Sequence, residues 1–201
     1  MIQEFSVKNF YSIRERQSIS FVPSNDDSMR MQYTTKVADE MELLKIGIVY
    51  GSNASGKTTI LNAISYFRKI MLEKPSSKND GMGYIPFLLD EHSRNEHSEM
   101  SMTFWINRER YCLFIEFDKE RIYNEQLQVY ASIRPTTLYK RSYNKETDHS
   151  EVTFSTKCGI DRTSQRAIIG NTTNNCSVMA AFGQSNAVTS RLNNVYAFFL
   201  T

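Results

Sequence analysis

The chain reads as an α/β protein of the P-loop NTPase class with an antiparallel β subdomain. Three observations predict this. Residues 51–58 spell GSNASGKT and fill every fixed position of the phosphate-cradling pattern G-x-x-x-x-G-K-[ST]. An apolar run precedes that loop, and apolar residues at helical spacing follow it. Further along, the texture changes to alternating apolar and polar residues in successive segments, the period of half-buried strands.

The elements follow in order. Residues 2–10 and 17–22 alternate, through Phe5 and Val7 and then Ile19 and Phe21, and predict two strands joined by a turn at Tyr11, Ser12 and Ile13. Pro23 ends the second strand, because it cannot donate to a sheet ladder. A polar loop, SNDDS, covers residues 24–28, and residues 31–37 form a weakly patterned strand. Glu42, Leu43 and Leu44 lead into Ile46, Gly47, Ile48, Val49 and Tyr50, a mostly β-branched run suited to a buried parallel strand. After the loop, Ile60, Leu61, Ile64, Phe67, Ile70 and Met71 predict a helix. Pro75 stops it, since the residue before a proline is pushed out of the α region. The breaker-rich residues 75–83 read as an exposed connector.

Residues 100–106, 111–117, 122–130 and 136–143 then predict a meander of antiparallel strands, with polar turns at 107–109 and 118–120. Residues 163–169 and 176–182 read as short helices. A last helix runs through Val188, Leu192, Val195, Tyr196, Phe199 and Leu200 to Thr201 without a capping Gly or Asn, so the chain is expected to end inside an element. The expected units are 1–84 (first strands, phosphate loop and helix), 85–160 (antiparallel β subdomain) and 161–201 (helical segment).

The chemistry of the loop follows from its residue types. Gly51 and Gly56 let the backbone turn so that successive N–H groups converge on an anion. The backbone from Asn53 through Ala54, Ser55, Gly56, Lys57 and Thr58 to Thr59 forms the cradle. Lys57 brings a positive charge to the β- and γ-phosphates, and the Thr58 hydroxyl is placed to ligate Mg²⁺. The helix beginning there adds its positive N-terminal end. The expected ligands are ATP and Mg²⁺.

Composition bounds the rest. A chain of 201 residues, 40% hydrophobic and 23% charged, has material for a core, and a net charge of +2 gives no electrostatic argument for DNA. No apolar stretch is long enough to span a membrane, and the N-terminus is not a secretory signal. Cys112, Cys158 and Cys176 are odd in number and far apart, which fits a reducing cytoplasm. They read as small buried or surface residues, and His92, His97 and His149 join them at no familiar zinc spacing.

A hydrolase of this type also needs an acidic strand end to orient the attacking water. Residues 87–91 (FLLDE) match by letters, but Pro86 and the preceding connector favour a surface loop. Asp118 ends an alternating strand and reads as the start of a turn. Asn144, Lys145, Glu146 and Thr147 imitate a guanine-reading N-K-x-D, yet Thr147 stands where the carboxylate is needed. Adenine is therefore the expected base, and the catalytic acid is unidentified.

An N-terminal strand ending in Lys8, Asn9, Phe10, Tyr11, Ser12 and Ile13, followed by GSNASGKTT, resembles the ATP-binding heads related to RecF and SMC proteins. More closely, with Ile85 to Asp90 and the meander included, it resembles the AAA-type ATPases of the abortive-infection and OLD-like group found in bacterial defence loci. The resemblance implies an ABC-ATPase-like N-terminal lobe, in which a mixed sheet carries the loop and an antiparallel subdomain packs beside it. It also implies that two protomers sandwich two ATP molecules, each touching the signature segment of the opposite protomer. Two features depart from the pattern. Tyr11 stands where the group has Arg, with Arg14 and Arg16 as the nearby cations, and neither a signature segment nor an acidic strand is present. The resemblance places both in a C-terminal lobe, so the sequence matches an N-terminal half.

The reading that results is an ATP-binding, ATPase-type domain. By the resemblance, its nucleotide state controls dimerisation, or docking of a partner protein, through the nucleotide face, and so controls a linked effector in bacterial defence or DNA metabolism. The alternative is a truncated or split nucleotide-binding module without catalysis of its own. A small-molecule kinase would share the loop, but the Arg and Lys residues show no lid-like clustering.

Overall fold

A computed structural model of the chain describes all residues except 26, 27, 54, 132 and 133. Its frame is a seven-stranded sheet in the order β2-β1-β5-β6-β7-β8-β9, and among the described residues every strand pair is antiparallel. The strands are β1 (Ile2–Lys8), β2 (Gln17–Ser20), β5 (Ser98–Ile106), β6 (Glu109–Phe117), β7 (Ile122–Tyr130), β8 (Thr136–Asn144) and β9 (His149–Phe154). β3 (Thr34–Ala38) and β4 (Met41–Leu44) form a separate hairpin.

The alternation read in the meander has a direct structural counterpart. Met100, Met102 and Phe104 of β5, with Tyr111, Leu113, Ile115 and Phe117 of β6, are buried on one face while their neighbours are half-buried. The sheet nevertheless crosses the expected boundary at residue 85, because β1 pairs with β5 along most of its length. The first strands and the meander share one sheet.

The helix after the loop is α2 (Lys57–Leu72), which buries Ala63, Phe67, Ile70 and Met71. At about 100° per residue, Leu61 falls off that stripe and is exposed. α2 packs on β1 and on two helices of the last third, α5 (Val178–Gly183) and α6 (Ser190–Leu200). Phe67 meets Phe5 of β1 edge-to-face and Phe199 of α6 at a tilt, with ring centroids 5.7 and 5.9 Å apart. The last carbonyls of α6 are satisfied without Gly or Asn. Arg68 of α2 donates to Phe199 O (2.6 Å) and Leu200 O (3.0 Å).

Several elements differ from the sequence reading. The weak strand at 31–37 begins as a helical turn, α1 (Arg30–Tyr33), and extends only from Thr34. A short helix, α3 (Glu91–Asn95), follows the connector, and β9 adds an edge strand in the last third. Helix α4 (Arg162–Asn171) lies close to its expected place, while α5 starts two residues late because Ser177 caps it. Part of the loop at 24–28 lies outside the described residues.

The largest correction concerns residues 46–50. The expected buried parallel strand is not formed, and these residues carry no strand assignment. Ile46, Ile48 and Tyr50 are 63, 82 and 91% exposed. A parallel strand needs neighbours on both edges and helices on both faces. The described strands are instead committed to antiparallel pairs elsewhere, so none of them pairs with this run.

Candidate nucleotide site

The site is built where the segment leaving β4 meets α2. Gly56 precedes the first residue of α2 with φ 89° and ψ 6°, a left-handed conformation that a side chain would strain. The first turn of α2 carries no acid, so the positive end of the helix is not neutralised locally. A Cβ placed on Gly51 would stand 2.9 Å from Ser55 Oγ, so that hydroxyl would have to turn aside.

Lys57 folds back over the loop. Its ammonium donates to Gly51 O (2.9 Å) and Ser52 O (2.6 Å), and meets Ser55 Oγ at 3.4 Å. Gly51, Asn53, Ser55 and Thr58 are exposed, and Ala54 lies outside the described residues. Thr58 opens to solvent in the first turn of α2. Thr59 instead hydrogen-bonds the Ser12 hydroxyl at 2.7 Å. That bond ties the β1–β2 turn to the start of the helix.

Between turn and loop lies a cavity of roughly 500 Å³. Its walls include Ser12, Arg14 and Gln17 on one side and Ser55, Gly56 and Lys57 on the other. Tyr50, Val49 and Ile13 supply apolar surface. Small-molecule sites span about 300–1,000 Å³, so the space suits a nucleotide. The structure brings Ser55, Gly56 and Lys57 together around it; of the opposite wall, the sequence reading had singled out only Arg14 as a candidate cation, without placing it.

That wall is held by Asn9. Its amide donates to Ser93 O (2.8 Å) and Glu96 O (2.9 Å), and its Oδ1 accepts from Phe87 N (2.9 Å). Tyr11 N donates to Ile85 O, and Phe10 packs against Tyr11, Tyr66 and Tyr84. The Asn-Phe pair thus fastens the turn beside the cavity to residues 85–96. Of the two candidate cations, Arg16 is committed to the sheet, paired with Glu99 and donating to Ser6 Oγ. Arg14 lines the cavity and is half exposed, with Asp90 at 3.5 Å and Glu15 at 3.6 Å.

Residues 87–89 form a loop, and Asp90 caps α3. Its Oδ2 accepts from the amide (2.9 Å) and hydroxyl (2.7 Å) of Ser93. The Ser93 hydroxyl, then its amide, hold the Asp90 carboxyl below its ordinary range, and Arg14 adds a smaller effect. Asp118 and Asn144 serve turns, each accepting from two backbone amides that follow it. Among the described residues no group of three or more His, Cys, Asp or Glu could hold a metal ion, and no helix is long and apolar enough to cross a membrane.

Two comparisons complete the description. A family model described as an AAA domain matches residues 4–196, nearly the whole chain and all of the site. No curated protein matches the sequence significantly.

Proposed function

The chain belongs to the AAA-domain family and is an ATP-binding module of ATPase type; on that premise we propose that residues 51–59 hold the ATP phosphates. The observation that carries this is the left-handed Gly56 opening α2 onto a cavity that Lys57 also lines. Lys57 would exchange the carbonyls of Gly51 and Ser52 for phosphate oxygens, which are stronger acceptors for an ammonium. The backbone of Asn53, Ala54, Ser55 and Gly56 would close around the phosphates. Ile13, Val49 and Tyr50 offer apolar surface for the base.

The residues fit a magnesium nucleotide in part. Thr58, exposed in the first turn of α2, would offer its hydroxyl oxygen to the ion, and Mg²⁺ generally takes its other ligands from phosphates, water and one or two carboxylates. When bound, Mg²⁺ would neutralise charge on the β- and γ-phosphates. Asp90 is not placed to supply the acid that orients water, because it is engaged with Ser93.

The finer reading is an ATPase head of the abortive-infection, OLD-like and RecF/SMC-related group, in which bound ATP drives association with a second copy or a partner protein through the nucleotide face. That association would control a linked effector. What supports it is the Asn9-Phe10 corner, set against the cavity with the loop that follows in sequence. A second reading, a nucleotide-binding regulatory module without catalysis, is favoured by the engagement of Asp90.

Calorimetric titration of the chain with Mg-ATP tests the core of the proposal. Binding is expected, and Lys57→Ala should weaken it about tenfold to a hundredfold, the range for a charge-assisted contact. Equal affinity of wild type and Lys57→Ala would sink the assignment of the loop. Turnover by the chain alone should be weak or absent. Robust hydrolysis abolished by Lys57→Ala would rule out the regulatory reading.

A further inference from the structure

Among the cations near the cavity, Arg14 differs from its neighbours. Arg16 is fixed by Glu99 and Ser6, and Lys57 by the loop itself. Arg14 faces the cavity, and its ion pairs among the described residues are two loose ones at 3.5 and 3.6 Å. Its stronger anchor, Asp90, has a second set of partners in Ser93 and remains an ionised cap when Arg14 leaves. Asp90 also ends the segment that Asn9 ties down through Phe87 N, and Ser93 belongs to α3, whose carbonyl Asn9 reads. One guanidinium thus stands between the nucleotide space and the loop-to-α3 corner.

We propose that Arg14 is an exchangeable phosphate-binding residue, drawn from Asp90 to the nucleotide when ATP enters. The exchange rests on the ATP reading above. A half-exposed pair at 3.5 Å is weak, and its loss costs little. A guanidinium can instead grip phosphate oxygens through two parallel N–H bonds, which are stronger and directional. The gain is realised only when a polyphosphate is present. By linkage, a change that weakens the Arg14–Asp90 pair while keeping Arg14 must strengthen ATP binding.

The test is a double-mutant cycle read by calorimetric titration of the full chain with Mg-ATP. Arg14→Ala should raise Kd about tenfold, and Arg14→Lys should raise it less. Arg16→Ala should leave Kd within about twofold, a change too small for a charge-assisted contact. Asp90→Asn keeps a good helix cap and removes the competing charge, so it should lower Kd by about two- to threefold, the worth of a surface pair. In the Arg14→Ala background, Asp90→Asn should change nothing. Circular dichroism of each variant confirms the fold. An Arg14→Ala Kd equal to wild type, or an Asp90→Asn effect that persists without Arg14, would overturn the exchange while leaving ATP binding intact. If wild type fails to bind Mg-ATP, the ATP reading falls and the exchange falls with it.

Discussion

Cys158 and Cys176 show how far burial, joined at Cys176 by the Glu125 charge, sets chemistry at single residues. Removal from water disfavours the thiolate and pushes each thiol up to about 11, from an ordinary 9.0. Nearby cations, Arg191 at Cys158 and both Lys74 and Arg141 at Cys176, oppose the shift without cancelling it. Two pKa units mean about 100-fold less thiolate at pH 8 than an ordinary cysteine holds. Both should therefore resist a thiol reagent such as iodoacetamide in the folded protein and react promptly in denaturant. Mass spectrometry after a short labelling pulse reads this directly, and rapid native-state modification of either would contradict the buried placement. The sequence reading left these residues as small buried or surface residues. It could not rank them against Cys112, which is half-buried on β6, because the burial of Cys158 and Cys176 comes from segments outside the strands.

At the scale of elements, the junction between sheet and helices is held by polar groups that no periodicity reveals. Ser177 caps α5 by accepting from Ala180 N (3.0 Å) and donates to Ile70 O of α2 (2.7 Å). Replacing it with Ala removes the cap and strands a buried carbonyl, so Ser177→Ala should cost about 1–2 kcal/mol in urea unfolding. No loss of stability would mean the tie is dispensable. Glu125 of β7 accepts from Tyr139 OH and from Val178 N, both at 2.8 Å, within the same buried junction. Arg141 lies close by and donates to the carbonyls of Cys176, Thr173 and Asn174. Burial raises the Glu125 carboxyl above its ordinary 4.5, against the Val178 amide and the Arg141 charge. A raised folded-state pKa means that this group's contribution to stability is complete below the unfolded value and is lost as pH rises through the folded one. The unfolding free energy should therefore decline as pH climbs out of the ordinary carboxylate range, and Glu125→Gln should flatten that decline. An unchanged pH profile in the variant would show that Glu125 is not its source.

For the molecule as a whole, legibility tracked how local each determinant is. The alternation in β5 to β8, the stripe on α2 and the glycine-lysine loop were readable because each is written within one element. β9 was not, since only Val152 of its six residues is buried and an edge strand leaves no alternation. The wall of the cavity was not readable either. Whether Arg14 or Arg16 faces the loop depends on Glu99 and Asp90, more than seventy residues away. The run at 46–50 misled for the same reason. Its letters suit a buried strand, but burial requires neighbours the local pattern cannot supply, and the protein has a closed core with an open apolar strip beside it. Ile46 and Ile48 line a shallow cavity together with the exposed Met29 and Tyr33, and the exposed Val49 and Tyr50 follow them in sequence. A strip of this kind should bind an apolar dye and contribute nothing to core packing. Ile48, 82% exposed, is the sharpest probe. Ile48→Lys should leave the unfolding free energy within about 0.5 kcal/mol of wild type, as for other surface substitutions, while lowering anilinonaphthalene sulfonate fluorescence. A loss of several times that size, comparable to truncating a buried aliphatic residue, would mean that Ile48 is packed in solution and that residues 46–50 form the covered strand their sequence suggests.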